Sequence, residues 1–352
     1  MFEDHVARFR LRRHHLLTAG TADPVTICRD ICCAQAQLTL CAHLQLRARN
    51  PRITRAEIDN ALWKSRALVK TWVMRRTLHY VPADEFAMYI AALRASRVRA
   101  LFNVMQRCGI TAAESDKLTE LIVSELAAGP ASQTAIRAAV RPKVKPHVRK
   151  WMDKVSSIVQ IPIAEGLICY GGGEGNAMKF VRTETWLPKV RRIGESDAQA
   201  TLLRKYLRTY GPATAHDFAH WTGMSVKQSS RVFEQLKDEV VEAAGGWILI
   251  EDEKALSALR REGDAGVKLL PSFDPFLLAH STKHHLVEEQ HYKRVFQRLA
   301  WIAPVILVDG RVVGTWKHKA DEDQLNVEIA PFDKLSRSVL KGIEAEAAGI
   351  AD

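Results

Sequence analysis

The sequence has no long apolar run and no leader-like N-terminus. No stretch approaches the roughly 18 consecutive apolar residues that a membrane-spanning helix needs. Residues 1–5 (MFEDH) lack the basic start and the apolar run of a signal peptide. These absences predict a soluble, cytoplasmic protein.

Three short motifs that mark large enzyme classes are also missing. The sequence contains no GxxxxGK[ST] phosphate loop, no HExxH zinc motif and no GxSxG nucleophile elbow. The triplet Gly171, Gly172 and Gly173 lies between two strand-like segments, so it indicates a turn and not a phosphate cradle.

Cysteines are few, and none belongs to a CxxC pair. Four of the six lie within fourteen residues, at Cys28, Cys32, Cys33 and Cys41. Thiolates one helical turn apart can share a metal ion or an iron–sulfur cluster, which is the alternative interpretation. Because no second pair stands at a recognised distance, we predict buried free thiols, with no metal and no cofactor.

Histidines cluster once, without an evident metal-binding partner. His280, His284, His285 and His291 follow Asp274, but metal ligation would need a defined carboxylate or cysteine partner, and none is obvious. We expect these histidines at the surface or facing phosphate.

Cations are what the sequence has in excess. Lys and Arg number 51 against 40 Asp and Glu, which gives a net charge of +11 and a pI near 9.4. Such an excess favours a polyanionic partner, with nucleic acid first and a membrane surface second. The 352 residues, 47% of them hydrophobic, predict two to four globular units with real cores.

The periodicity predicts an α+β fold, mainly α, made of tandem winged-helix units with a β-rich C-terminal segment. In the first unit, Thr54 with Glu57 is a capping-box signature, and Trp72 begins a strand. The predicted domains are residues 1–84, 85–192, 193–262 and 263–352. Predicted elements of the first domain are helices at 2–20 and 25–36, helix continuing at 66–71, and a strand at 72–81.

The second and third domains repeat the pattern of helices followed by a hairpin. Gly223 lies in the turn of a helix-turn-helix, for which an ordinary helical hairpin is the alternative. Predicted helices are 86–107, 111–127, 132–140, 148–166, 198–209, 214–221 and 225–238. Predicted wing strands are 167–170, 180–181, 240–241 and 247–250.

The C-terminal domain changes character. Asp309 and Gly310 form a strong two-residue hairpin signal between alternating apolar segments. We predict strands at 305–308, 312–316 and 325–329, and a closing helix at 333–348.

Three groups of basic residues are candidates for contacts with DNA. Residues 141–150 hold no acid, and Pro142 and Pro146 predict an irregular or extended segment that contacts phosphates or is merely solvated. The hairpin end at 316–319 could enter a minor groove or be a solvated strand end. On the predicted strand 72–81, neighbouring arginines alternate between faces, so at least one could reach a phosphate, while the histidine could be structural. The candidates are Lys143, Lys145, Arg149, Lys150, Lys317, His318, Lys319, Arg75, Arg76 and His79.

Several blocks of the chain, in order, resemble the bacterial winged-helix alkylpurine DNA glycosylases, the AlkZ/YcaQ-like crosslink-repair and genotoxin-resistance proteins. Residues 68–79 (LVKTWVMRRTLH) resemble that family's W-x-M-R-G-T-L-H block, with Arg76 where glycine is usual. Further matching blocks are 210–214 (YGPAT), 217–219 (DFA), 269–275 (LLPSFDP) and 308–316 (VDGRVVGTW).

The resemblance implies a C-shaped, basic DNA channel and a catalytic Gln-aliphatic-Gln or Gln-aliphatic-Asp element. Gln35 and Gln37 match the first form around Ala36, which indicates the AlkZ-like branch. Residues i and i+2 lie roughly 200° apart on an ideal helix, so the two amides converge only at a helix end or in extended backbone. Cys32 and Cys33 stand where the family usually has plain apolar residues.

A carboxamide pair suits the loss of a base that already carries positive charge. Two amide oxygens can hold a water and face the oxocarbenium-like sugar, but neither accepts a proton well. We therefore expect a monofunctional, monomeric DNA glycosylase that hydrolyses the N-glycosidic bond of N7-alkylated purines in double-stranded DNA, including crosslinked ones. This is base excision repair chemistry on nucleoid DNA. The alternative is a non-catalytic winged-helix DNA-binding protein such as a regulator.

Overall fold

The protein is described from a computed structural model, over residues 4–18, 20–173, 178–187, 193–259, 266–321 and 324–351. Within those residues no helix combines the length and the apolar character that crossing a membrane requires. In chain order the helices are α1 Asp4–Arg13, α2 Pro24–Asp30, α3 Thr39–Arg47, α4 Arg55–Asp59, α5 Phe86–Arg107, α6 Ala112–Glu125, α7 Gln133–Val140, α8 Pro146–Met152, α9 Gln160–Ala164, α10 Thr183–Trp186, α11 Glu195–Tyr210, α12 Ala215–Thr222, α13 Val226–Gln235, α14 Glu253–Ala258, α15 Pro275–Leu278, α16 Tyr292–Val295 and α17 Arg337–Ala351.

The strands are short except near the C-terminus. They are β1 Ala34–Gln35, β2 Leu68–Trp72, β3 Leu78–Pro82, β4 Ala131–Ser132, β5 Ile168–Tyr170, β6 Lys179–Arg182, β7 Val240–Ala243, β8 Gly246–Leu249, β9 Val267–Leu270, β10 Val305–Val308, β11 Arg311–Asp321 and β12 Gln324–Pro331. The small antiparallel sheets among many helices confirm the mainly α, α+β prediction.

The chain divides into two compact units. Unit 1 comprises Met1–Ile58, Leu203–Trp221 and Ser225–Asp352, and unit 2 comprises Asp59–Leu202 and Thr222–Met224. Each combines segments that are distant in sequence, so neither corresponds to one of the four consecutive predicted domains. The finer division into four stays a prediction.

Unit 1 contains a four-stranded antiparallel sheet in the order β12-β11-β10-β9. Its β10–β11 turn has Asp309 at φ 49° and Gly310 at φ 83°, the left-handed backbone that a two-residue primed hairpin turn requires, which confirms that prediction. Trp316 is buried against Ile343 of α17 and donates its indole N–H to the carbonyl of Leu270 at 2.9 Å.

Both helices of the predicted helix-turn-helix are present. Ser225 caps α13 in a capping box with Gln228, and Thr214 accepts from the backbone N–H of Asp217. β7 and β8 then pair as an antiparallel hairpin. Tyr206 of α11 and Trp221 of α12, with ring centroids 5.0 Å apart, help to form an aromatic cluster between the two helices.

Unit 2 is built around a hydrophobic core from α5 to β6. Thr111 caps α6 in a capping box with Glu114, and Ser132 accepts from the N–H of Ala135 to cap α7. β4, β6 and β5 form one sheet in that order. The predicted helix at 148–166 is wrong: the chain leaves helical backbone after Met152 and resumes it at Gln160, giving α8 and α9.

A second correction concerns residues 66–81, predicted as helix and then one continuous strand. Residues 68–72 pair with residues 78–82 as an antiparallel hairpin. The β-branched and apolar residues that favour a strand therefore begin earlier, at Leu68. The closing helix also starts later than predicted, at Arg337.

The interior of unit 1 contains a fully buried ion pair. Arg49 donates to both carboxylate oxygens of Asp274, at 2.8 and 2.9 Å, and both side chains have no solvent exposure. Arg49 also donates to the carbonyl of Gln45 at 2.7 Å, and Asp274 accepts from the N–H of Phe276 at 3.0 Å. The pair thus joins the residues just after α3 to the start of α15.

We expect Asp274→Asn to lower the free energy of unfolding by about 3–5 kcal/mol, because it leaves the Arg49 guanidinium buried without a counter-charge. The exposed Arg204–Glu239 pair, at 2.6 and 2.7 Å, is the matched control: Glu239→Ala should cost below about 1 kcal/mol. Urea unfolding of both variants measures the difference, and equal losses would contradict a special role for the buried pair.

Candidate active site and nucleic-acid interface

The glutamine segment follows an abrupt helix end. α2 stops at Asp30, and Cys32 and Cys33 adopt left-handed backbone with φ of 55° and 82°. The Cys33 N–H donates back to the carbonyl of Cys28 at 2.7 Å. The predicted helix at 25–36 is therefore wrong, because left-handed residues end a helix and turn the chain aside.

Side chains of α11 hold this turn in place. Lys205 donates to the carbonyl of Arg29 at 3.0 Å, Thr209 to that of Asp30 at 2.7 Å, and Tyr210 to that of Ile31 at 2.7 Å. These carbonyls lie at the end of α2, where intrahelical donors run out, although Arg29 also accepts from the backbone N–H of Cys32 at 3.4 Å. Left-handed backbone costs a non-glycine residue about 1–2 kcal/mol, and these bonds help to offset that cost.

Gln35 and Gln37 differ in exposure. Gln35 lies in β1 and is 4% exposed, whereas Gln37 is exposed in the bend before α3. The backbone is extended at Gln35, one of the two conditions under which the amides could converge. The arrangement provides one amide embedded in the protein and one at the surface.

Gln45 fixes the backbone of the buried glutamine. Its side-chain amide donates to the carbonyl of Gln35 at 3.0 Å and to that of Phe273 at 3.4 Å. Since Arg49 donates to the carbonyl of Gln45, the buried ion pair with Asp274 is linked through Gln45 to Gln35. Gln45 and Arg49 were not predicted from the sequence, although a glutamine and an arginine four residues apart, at and just beyond the end of α3, were a usable signal.

The four cysteines near the glutamines differ in burial, and Cys41 is only partly buried. Cys28, Cys32 and Cys33 are buried, and Cys32 lies 3.3 Å from the hydroxyl of Thr209. Burial raises the pKa of the Cys41 thiol. Among the residues that the structure describes, no group of three or more His, Cys, Asp or Glu side chains could hold a metal ion.

Arg75 and Arg76 lie in the turn between β2 and β3, not on a strand with alternating faces. Their φ angles of 50° and 59° are left-handed, which explains why the family pattern has glycine where Arg76 stands. Arg76 is exposed and borders a cavity of about 270 Å³ beside Trp151. A Cβ on Gly223 would lie 3.6 Å from the Cα of Arg75, so the backbone packs closely there.

His79 does not reach the surface, so the predicted DNA contact is not available to it. It is 2% exposed, and its Nδ1–H donates to the carbonyl of Thr77 at 2.8 Å. Burial, reinforced by the charge of Arg75, lowers the pKa of His79 to about 3. A neutral, buried imidazole supports the hairpin rather than a phosphate contact.

The basic segment at 141–150 is structured, contrary to the irregular segment expected. Pro146 is the first residue of α8, a position where its missing N–H costs nothing. Lys143 pairs with Glu125, and Lys145 pairs with Glu114 at 2.9 Å. The remaining candidates differ: Arg149 donates to the carbonyls of Val144 and Pro142, and Lys150 is exposed.

The basic hairpin end extends away from the core of unit 1. Lys317, His318 and Lys319 are exposed although successive residues of β11 face opposite sides, so neither face is covered there. Lys317 pairs across the hairpin with Glu328 at 2.8 Å. Glu328, which lies opposite Lys317 on β12, is exposed as well.

The histidine tract is divided between core and surface. His280 and His285 are buried with ring centroids 4.7 Å apart, so the surface position predicted for them is wrong. Burial lowers the pKa of His285 to about 2. His284 is exposed, and His291 stacks on Phe332.

Comparisons with known proteins converge on one family. A family model described as DNA glycosylase AlkZ-like matches residues 28–352. A curated relative, the interstrand DNA cross-link repair glycosylase of Streptomyces sahachiroi, is 27% identical over 363 residues, covering 98% of this chain and 95% of that protein. The solved structure of the Streptomyces sahachiroi DNA glycosylase AlkZ superposes with a TM-score of 0.84 at 25% identity, covering 99% of this chain and 95% of the other.

We expect Gln45→Met to lower stability by about 1–3 kcal/mol, because the buried carbonyl of Gln35 loses the hydrogen bond from Gln45 with little change in side-chain volume. Hydrogen exchange at residues 33–37 should speed up in parallel. Gln133→Met, which removes an exposed bond of 2.7 Å to the carbonyl of Ser156, is the control and should change stability by under about 0.5 kcal/mol. Unchanged exchange at 33–37 would rule out the bracing role of Gln45.

Proposed function

We propose a substrate and a mechanism for this chain, which belongs to the AlkZ-like DNA glycosylase family and is a DNA glycosylase. The substrate is a purine alkylated at N7 within double-stranded DNA, and the protein acts as a monomer on nucleoid DNA in the cytoplasm. Action on interstrand crosslinks is supported by the name of the Streptomyces relative, a cross-link repair glycosylase. Family membership leaves the alternative of a non-catalytic regulator without support.

The observation that supports this mechanism best is the placement of Gln37. The chain leaves the core at this residue, shortly after the buried and braced Gln35. An exposed amide on an anchored backbone can meet a bound nucleotide without a large rearrangement, which is the preorganisation that electrostatic catalysis requires.

The proposed reaction needs no acid on the leaving group. As the bond from C1′ to N9 breaks, its electron pair moves into the purine and neutralises the N7 cation. The amide oxygen of the exposed Gln37 faces the developing positive charge on the sugar and holds a water molecule, and the amide of Gln35, which is 4% exposed, joins it once DNA binding uncovers that side chain. Water adds to C1′ and releases its proton to solvent. Because no residue protonates the leaving base, an uncharged base is a poor substrate.

Two basic surfaces are proposed for the DNA backbone and groove. The exposed hairpin end with Lys317, His318 and Lys319 has the slender, cationic form that suits a minor groove. In unit 2, Arg76 and Lys150 are exposed, whereas Lys143 and Lys145 would have to exchange carboxylate partners for phosphate.

Gln37→Ala should reduce release of 7-methylguanine from methylated duplex DNA by about 100-fold or more while DNA affinity is retained. Gln106→Ala, an exposed glutamine on α5, is the control and should release the base at the wild-type rate. Single-turnover release, with binding measured in parallel, gives the answer. Equal release by both variants would remove Gln37 from the mechanism.

Lys319→Ala should weaken DNA binding and reduce the slope of log affinity against log salt by about 1, because this exposed lysine neutralises one phosphate in the wild type, whereas Lys317 beside it already pairs with Glu328. Lys145→Ala is the matched control, because Glu114 already neutralises this exposed lysine. Titrations at several salt concentrations compare the slopes. An equal change in both variants would contradict the leading role of the hairpin.

A further inference from the structure

We propose that Leu38 and Leu40 enter the base stack of the duplex beside the nucleotide whose glycosidic bond is cut. There they occupy space that the displaced base leaves. The proposal rests on the proposed function, since it places the same segment against DNA, but it concerns how the substrate is opened rather than how the bond is broken.

The pattern of burial isolates these leucines from the protein core. Residues 31–36 are all buried, and residues 37–40 are all exposed. Leu38 is 39% exposed and Leu40 is 55% exposed. They therefore present two large apolar side chains to solvent within three residues of Gln37.

Leu38 also occupies a position for which leucine is locally unsuited. It is the N-cap of α3, with extended backbone, and its side chain makes no capping bond. Serine, threonine, aspartate or asparagine at an N-cap would satisfy an unpaired N–H of the first turn, and leucine is among the poorest choices. Local stability does not account for this leucine, and such departures from local rules concentrate at functional sites.

The chemistry of the pair indicates nucleobases as its partner. Leucine offers neither charge nor a hydrogen bond, so it contributes nothing to phosphate binding or to hydrogen-bonded reading of a base edge. Apolar side chains inserted between base steps do unstack and bend duplex DNA. A glycosylase must take its target out of the stack, and an apolar filler lowers the cost of the gap.

Leu38→Thr and Leu40→Thr test the proposal singly and together. Threonine at position 38 can cap α3, so Leu38→Thr should raise the melting temperature while single-turnover release from a fully paired duplex falls about tenfold. A duplex with the methylated base in a flexible bulge, already unstacked, should show a much smaller decrease. The control is Leu340→Thr on α17, a leucine of matched exposure at 38%, which should release at the wild-type rate from both substrates.

A second readout does not depend on catalysis. A 2-aminopurine next to the alkylated base should brighten when wild type or Leu340→Thr binds and should stay quenched with the double leucine variant at saturation. Equal decreases on paired and bulged duplexes, or wild-type behaviour of the double variant in both assays, would overturn the proposal. In the latter case the leucines would be a surface for a protein partner. Failure of wild type to release 7-methylguanine would instead refute the proposed function, and the fluorescence assay would still decide the role of the leucines.

Discussion

The buried pair of Arg49 and Asp274 is the interaction on which the interior of unit 1 depends. Two fully buried charges are tolerated only where they pair with each other and hydrogen bonds satisfy their polar atoms. Here Arg49 donates to both carboxylate oxygens of Asp274. The same pair reaches Gln35 through Gln45. His14, held neutral because burial and Arg49 lower its pKa, adds a contact of 3.3 Å with the guanidinium. A buried polar network thus ends at the candidate active site.

The segment around the glutamines shows the conflict between local preference and function. Cys32 and Cys33 adopt left-handed backbone. Leu38 occupies the N-cap position of α3, where its side chain cannot form a capping hydrogen bond. Each choice weakens the local structure, and the segment is held by contacts from elsewhere in the chain, notably from α11 and from Gln45. Exposed apolar and amide groups can persist here because the surrounding core, not the segment itself, supplies the stability.

Features that depend on residues close together in the sequence could be predicted, whereas features that depend on distant residues could not. The bounds of α5, the capping box of Thr54 and Glu57 and the turn at Asp309 depend on neighbouring residues, and all were predicted. The end of α2 and the β2–β3 turn were missed because non-glycine residues adopt left-handed backbone there. Gln35 and Gln37 were identified as candidate catalytic residues through a family resemblance. The ion pair that is linked to Gln35 through Gln45 joins residues 225 positions apart. Such a pair leaves no local pattern in the sequence.

Net charge is a weak guide to where DNA binds, and the basic segments show why. Residues 141–150 contain no acid, yet the fold brings Glu125 and Glu114 to Lys143 and Lys145. The pKa of Glu114 is lowered to about 2, by the backbone N–H of Thr111 first and then by Lys145 and His147, so this carboxylate remains ionised beside the cations. At the β11–β12 hairpin Lys317 likewise pairs with Glu328, whereas Lys319 beside it is exposed. Because an ion pair already formed reduces the gain from a phosphate contact, the geometry of the acids, more than the sum of charges, determines the footprint.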